Sequence, residues 1–245
     1  MAIRKEVKTL EGIVIRTVDF KDNDQIVELI TRKGRFSFLA RGTKKVTSKN
    51  ASSLLMLTKG KYTLFEGIQG GLSLKEATIE RTMSANDDID RIFALNFLGE
   101  LLRTFTNELT NFQNVYEVLD ETLKNINEGF DPLSACLLFF AKILKENGIA
   151  LDVSKCVRCQ GKRNIVGLSY ADGGFICKND IQSESERKSA YELKVIRFAF
   201  LAPIEKMGTI SFAKKTALSL LREWGDFVEY GFGVKIASLK FLSAF

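Results

Sequence analysis

The chain has 245 residues, 45% apolar and 27% charged, which excludes a disordered polypeptide and leaves room for one large domain or up to three small ones. It contains no histidine, so the commonest general base, the most frequent zinc ligand and the Ser-His-Asp and Cys-His arrangements are all missing. The net charge of +6 is partitioned: residues 1–81 carry +7, residues 82–155 carry −6 and residues 156–245 carry +5, which favours polyanion contact in the basic parts.

The N-terminal MAIRKEVKTLEG lacks the apolar centre of a secretory signal, and the most apolar run, LLFFAKILKENG, is interrupted by Lys142 and Lys145, so no membrane partner is expected. Residues 1–81 then read as strands. GIVIRTVDF, DQIVELITRKG, GRFSFLARG, KYTLFEG and SLKEATIERT are rich in Val, Ile, Thr, Phe and Tyr, and polar turns such as KDND and GIQGG separate them. Five short strands in so short a segment predict a small closed barrel of the OB type, because closure removes exposed sheet edges. TKKVTSKNASSLLML, between the third and fourth strands, takes the place of a helix or long loop.

From about residue 88 the period changes. IDRIFALNFLGELLRTFTNEL and NVYEVLDETLKNINEG follow a helical repeat, the second stopping at Gly129. Asp131-Pro132 supplies an N-cap and a first-turn proline for a third helix, which ends at Gly148. Asp87, Asp88 and Asp90 lie where they complement the dipole of the first helix. After a cysteine-bearing segment, SAYELKVIRFAFLAPIEKM and SFAKKTALSLLREWGDFVEYGFG predict two further helices, with Pro203 ending or kinking the former and Trp224 in the core of the latter. The fold class is α+β and multidomain: a barrel (1–81), the first part of a helical domain (82–149), an insert (150–183) and the C-terminal part of the helical domain (184–245).

Two motifs carry chemistry. Between residues 32 and 49 lie Arg32, Lys33, Arg35, Arg41, Lys44, Lys45 and Lys49 with no acid among them, a run suited to tracking a phosphate backbone. Phe36 and Phe38, on one face of the same strand, suit the barrel interior. The second motif is C-x2-C-x17-C-x2-D, formed by Cys156, Cys159, Cys177 and Asp180. Two such turns can bring three thiolates and a carboxylate to one zinc ion. A metal-free loop held by packing and a Cys-x-x-Cys redox dithiol are the alternatives, although a redox pair belongs at a helix N-terminus and a Gly-Lys-Arg-Asn turn follows here. Four cysteines, one of them Cys136 within a helical pattern, do not form a disulfide framework and indicate a reducing cytoplasm.

In order and spacing, GIVIRTVDFKDNDQIVELITRKGRFSFLARGTKK, the acidic helical middle, the GGFIC of the cysteine segment and the closing GFGVKIASLKFLSAF resemble the RecO family of bacterial recombination mediators. The resemblance runs nearly end to end. It implies an N-terminal OB-fold, a helical domain and an inserted zinc-ribbon-like element. It also implies a non-enzymatic protein that binds single- and double-stranded DNA and anneals complementary strands. Such a protein would work with RecR to load RecA onto DNA coated by single-strand-binding protein, in the cytoplasm at the nucleoid. Arg16, Arg35, Arg41, Lys44 and Lys45 fall at positions that imply DNA contacts. The family's four-cysteine pattern maps onto Cys156, Cys159, Cys177 and Asp180, so this chain departs from it at the last ligand. The acidic, apolar tail of single-strand-binding protein requires a hydrophobic pocket with a basic rim, expected among the helices after residue 188. An OB-fold and zinc-ribbon protein that binds RNA or the ribosome is the alternative, since the barrel serves either nucleic acid.

Overall fold

The computed structural model describes residues 6–67, 70–85, 88–106 and 111–244. Contacts divide the chain into two units, Met1–Leu95 with Thr106–Glu117, and Asn96–Phe105 with Val118–Phe245.

The first unit is built on five strands: β1 (Glu6–Phe20), β2 (Asp24–Thr31), β3 (Gly34–Ala40), β4 (Lys59–Glu66) and β5 (Leu72–Arg81). They close into a barrel in the order β1-β2-β3-β5-β4. Alternation along the strands turns Val14, Val27, Leu29, Phe38, Tyr62 and Leu64 into one buried cluster. β1 is long because it serves two partners. Its first half pairs with β4 and its second half with β2, and a bulge at Ile15 redirects it between them. Gly60 permits the close approach this coiling needs: a Cβ there would lie 2.5 Å from the Thr78 carbonyl oxygen. β3 closes the barrel against β5 through the parallel pair Leu39 and Ser73. In the segment expected to hold a helix or long loop, a 3₁₀ turn (Ser52–Leu54) accepts the buried Tyr62 hydroxyl on the Ser53 carbonyl at 2.9 Å. In GIQGG the Gly67 N–H donates to the Gly71 carbonyl at 2.9 Å, while Ile68 and Gln69 lie outside the described residues.

Among the described residues five α-helices follow: α1 (Ile89–Phe105), α2 (Phe112–Asn127), α3 (Pro132–Glu146), α4 (Ala190–Leu201) and α5 (Lys214–Phe232). The first predicted helix extended to Leu109, and residues 107–110 lie outside the described part, as does Asp87. Asp88 accepts the N–H groups of Asp90 and Arg91 at the start of α1, as the charge complement predicted. α3 opens as its sequence dictates, with Pro132 in the first turn and the Asp131 carboxylate accepting the Ser134 N–H at 2.7 Å. Every residue from Leu133 to Leu144 is buried, which makes α3 the central helix of the second unit. Phe140 packs edge-on against Phe97 and against the fully buried Trp224. Lys142, the charge that breaks the apolar run, is itself buried and donates to the carbonyls of Phe200 and Ala202 at the end of α4. Burial lowers its pKa to about 8. Pro203 follows at once and α4 stops there.

The cysteine segment forms a two-stranded hairpin, β6 (Ile165–Ser169) and β7 (Gly174–Cys177). Asp152 donates its N–H to Gly173 and accepts from Phe175, which fixes the incoming chain beside β7. Gly174 has to be a glycine, since a Cβ would meet the Asp152 carbonyl oxygen at 2.5 Å and a Val157 methyl at 2.4 Å. Among the described residues no helix is long and apolar enough to cross a membrane.

Candidate nucleic-acid interface and metal centre

The barrel separates the seven-cation run. β3 carries the chain from Arg35 to Arg41 across the barrel, roughly 20 Å at the usual strand rise. Arg32 and Lys33 therefore occupy one end, in the β2–β3 turn, and Arg41, Lys44, Lys45 and Lys49 the other, in the loop after β3.

Strand register decides which cations have partners. Arg16 and Glu28 are opposite each other on β1 and β2, and Glu28 accepts from Arg16 at 3.3 Å and from Arg35 of β3. Arg32 lies 4.7 Å over the Tyr116 ring and donates to Glu11 at 3.1 Å, and Lys59 is also near that carboxylate. Burial alone would raise the Glu11 pKa, but the hydrogen bond from Arg32 and the Lys59 and Arg32 charges outweigh it and hold it low. Lys44 donates to Asp19 at 2.7 Å, and this bond depresses the Asp19 carboxyl. Lys33, Arg41, Lys45 and Lys49 are exposed and form no ion pair among the described residues.

Arg41 and Lys45 line an open cleft of about 440 Å³ together with Lys21, Asp22, Asn23, Asp24 and Gly42. The cleft is shaped by the β1–β2 turn, where Asp24 accepts the Gly42 N–H at 2.8 Å and Asn23 accepts the Lys44 N–H at 3.2 Å. Lys21 enters this site through a left-handed backbone (φ 54°) and lay outside the run singled out in the sequence. An aromatic side chain accompanies it. Phe20 is 37% exposed on the outer face, with Val18 and Ile26 beside it and the Lys21 ammonium 5.4 Å over its ring. The two phenylalanines expected inside differ: Phe38 is buried, whereas Phe36 is half-buried beneath Lys8.

In the insert, Cys156, Cys159, Cys177 and Asp180 bring one ligand atom each to within 4.8 Å of one another. The first turn is held by the Gly161 carbonyl accepting the Cys156 N–H at 2.8 Å, with Gln160 left-handed (φ 64°). In the second, the Cys177 carbonyl accepts the Asp180 N–H at 3.1 Å. Two sulfurs bound tetrahedrally at about 2.3 Å from one ion lie about 3.8 Å apart. The Cys159 and Cys177 sulfurs are 3.7 Å apart, and an Asp180 oxygen lies 3.2 Å from the Cys156 sulfur and 3.0 Å from that of Cys177. The donor set, three sulfurs and one carboxylate, fits zinc. Burial would raise the Cys156 thiol, but the N–H groups of Cys159, Cys177 and Arg158 that face its sulfur bring it below the ordinary value. The thiol hydrogen bonds hold Asp180 below its ordinary value, and the hydrogen bond to Asp180 pushes Cys159 up to about 12. The Cys-x-x-Cys turn does not open a helix, so the redox arrangement lacks its structural setting.

Arg158 joins the two turns. It donates to the Asp180 carbonyl, to Asp172 at 2.6 Å and to Glu186 at 2.6 Å, and it depresses the Glu186 pKa to about 2.

A closed five-stranded barrel followed by helices, with a cysteine-carboxylate knuckle in the helical part, defines an OB-like barrel protein with a zinc-ribbon-like insert. The family described as Recombination protein O, N terminal, matches residues 4–82, and that described as Recombination protein O, C terminal, matches residues 86–240. The chain belongs to the RecO family of DNA repair proteins. Among its relatives, the DNA repair protein RecO of Halalkalibacterium halodurans is 28% identical over 238 residues, covering 95% of this chain and 92% of that protein. That of Listeria monocytogenes serotype 4b (strain F2365) is 29% identical over 235 residues with the same coverage. That of Bacillus cereus (strain B4264) is 28% identical over 237 residues and covers 95% of both.

Proposed function

We propose that this protein is a non-enzymatic mediator that binds single- and double-stranded DNA through the barrel, anneals complementary strands, and assists RecR in loading RecA onto DNA coated by single-strand-binding protein. The observation that carries this reading is the cleft at the β1–β2 turn, where Lys21, Arg41 and Lys45 outnumber Asp22 and Asp24 and form no ion pair among the described residues, with Lys49 in the same loop. Annealing needs no bond chemistry. It needs two phosphate backbones held close, and cations that displace condensed counterions lower that repulsion without reading sequence. Phe20, Val18 and Ile26 offer an apolar platform next to the cations on which unstacked bases can rest. Lys33, at the other end of the hairpin, extends the track, whereas Arg16, Arg32, Arg35 and Lys44 reach phosphate only by leaving a carboxylate.

A zinc ion held by Cys156, Cys159, Cys177 and Asp180 would supply a structural cross-link between the two turns of the insert. For the acidic tail of single-strand-binding protein, the start of α5 is the favoured seat: Lys214, Lys215 and Arg222 surround the apolar Leu218. Family membership favours DNA over the RNA-binding alternative, and the cytoplasmic nucleoid is the compartment this role requires.

The test is annealing of complementary oligonucleotides precoated with single-strand-binding protein, at rising salt. Accelerated annealing that declines steeply with salt is the expected result. No acceleration at low salt would overturn the reading.

A further inference from the structure

A cavity of about 780 Å³ in the second unit lies between the turn after β6 and the C-terminal half of α5. Its walls are aromatic. The Tyr170 and Phe227 rings are 5.6 Å apart, Phe227 and Phe232 meet edge to face at 5.5 Å, and Tyr230 stands at the rim, 87% exposed. Its charge is negative on balance. Lys188 is bound to Glu223 at 2.6 Å, and Glu223 also accepts from the Tyr170 hydroxyl at 2.8 Å and from Ser219 at 3.2 Å. That leaves Asp226, exposed one turn along α5, with no ion pair among the described residues.

A second electrostatic feature points the same way. α5 is nineteen residues long and ends at Phe232, beside the cleft, with no basic residue in its last turn. Its carbonyl end is thus left without the cation that helix C-termini favour. The nearest lysine beyond it, Lys235, is bound to Glu229 at 3.1 Å. Gly233 and Val234 cap the carbonyls of Glu229 and Val228, but no cation stands in that last turn, and aromatic faces, an open carboxylate and the negative end of a helix dipole all attract positive charge. The same groups repel phosphate, so neither a nucleic-acid backbone nor an acidic peptide tail fits here.

We propose that this cleft binds an arginine or lysine side chain presented by a partner protein, its cation placed over Phe227 and Tyr230 and paired with Asp226. The site is separate from the barrel and from the basic start of α5, so the outcome does not depend on the DNA-binding reading.

The experiment uses the full chain labelled with 3-fluorotyrosine, whose five tyrosines include Tyr170 and Tyr230 as reporters assigned by Tyr→Phe variants. Fluorine NMR spectra would be recorded while titrating N-acetyl-arginine methylamide, its neutral isostere N-acetyl-citrulline methylamide, and a short single-stranded oligonucleotide. The arginine compound is expected to shift the Tyr170 and Tyr230 signals saturably, and the citrulline compound to bind at least about 5-fold more weakly. Asp226→Asn, an exposed and isosteric change, is expected to weaken the arginine compound by about the same factor. Equal binding of the citrulline compound, no effect of Asp226→Asn, or saturable shifts of these signals by the oligonucleotide would each overturn the proposal.

Discussion

Residues 41–49 and residues 155–163 each hold four cations in nine positions, yet the fold uses the two segments differently. In the first, Arg41, Lys45 and Lys49 project from a loop fixed by backbone bonds to the β1–β2 turn, and none has an acidic partner among the described residues. In the second, Arg158 is drawn inward by Asp172, Glu186 and the Asp180 carbonyl, where it spans the two ligand turns. A cation stays free for a distant partner only where the surrounding backbone already satisfies itself. Where carbonyls and carboxylates converge, the same guanidinium becomes part of the framework.

The sharpest way to break this contrast is to delete the inward arginine. Arg158→Ala is expected to lower the urea midpoint of unfolding, because the partly buried Glu186, the exposed Asp172 and the Asp180 carbonyl lose a shared donor. DNA affinity of the folded fraction should not change. An unchanged midpoint would mean that Arg158 is as dispensable as a surface cation.

Deleting the outward cations should do the reverse. Lys21→Ala, Arg41→Ala and Lys45→Ala combined are expected to weaken single-stranded DNA binding by about 10- to 100-fold and to reduce the salt slope by about 2. Stability should be unaltered, and fluorescence anisotropy at several salt concentrations measures both parameters. The pair Arg16→Ala and Arg35→Ala is expected to change affinity less than about 3-fold, because Glu28 already holds these guanidiniums. Equal losses from the two sets would erase the distinction between paired and unpaired cations.

Asp180→Cys completes a four-thiolate site and is expected to raise zinc affinity by about 10-fold in a competition titration with a chromogenic chelator. An unchanged affinity would mean that the carboxylate is as good a fourth ligand as sulfur here.

The smallest expected effect is in acid. Glu186 has its folded pKa depressed to about 2 by Arg158, so its stabilising contribution is complete above its unfolded value near 4.5 and is lost as pH falls towards 2. Wild type should exceed Glu186→Gln by about 1 kcal/mol at pH 7, and the two should converge near pH 2. A gap that persists at pH 2 would assign the effect to packing.

Much of the architecture was legible because it rests on local pattern. Runs rich in β-branched and aromatic residues between polar turns marked all five barrel strands, and Asp131-Pro132 and Pro203 marked helix ends that the structure keeps. The ligand spacing identified the metal cluster for the same reason, since each half is a tight turn whose geometry is set within a few residues. What stayed hidden depends on register. Nothing local couples Arg16 and Arg35 to Glu28 until β1, β2 and β3 are aligned, and nothing local carries Lys21 to Arg41. The run from residue 32 to 49 looked like one patch because a linear sequence does not show that a strand separates its ends. Lys21 could have been found from the KDND turn, had that turn been folded back against the loop after the third strand.

The barrel's closure carries a mechanical consequence. β1 meets β2 and β4 along extended ladders, whereas β3 meets β5 through the single pair of Leu39 and Ser73. This seam is where the sheet should breathe, and amides flanking Leu39 and Ser73 should exchange with deuterium before those of the β1–β4 ladder. The loop after β3 spans this seam: its Gly42 and Lys44 N–H groups bond to Asp24 and Asn23 on one side, and its Asn50 side-chain oxygen accepts the Ala77 N–H of β5 at 3.3 Å on the other. A strand of nucleic acid lying on the cleft would therefore rest on the loop that staples the barrel's shortest ladder, next to Leu39.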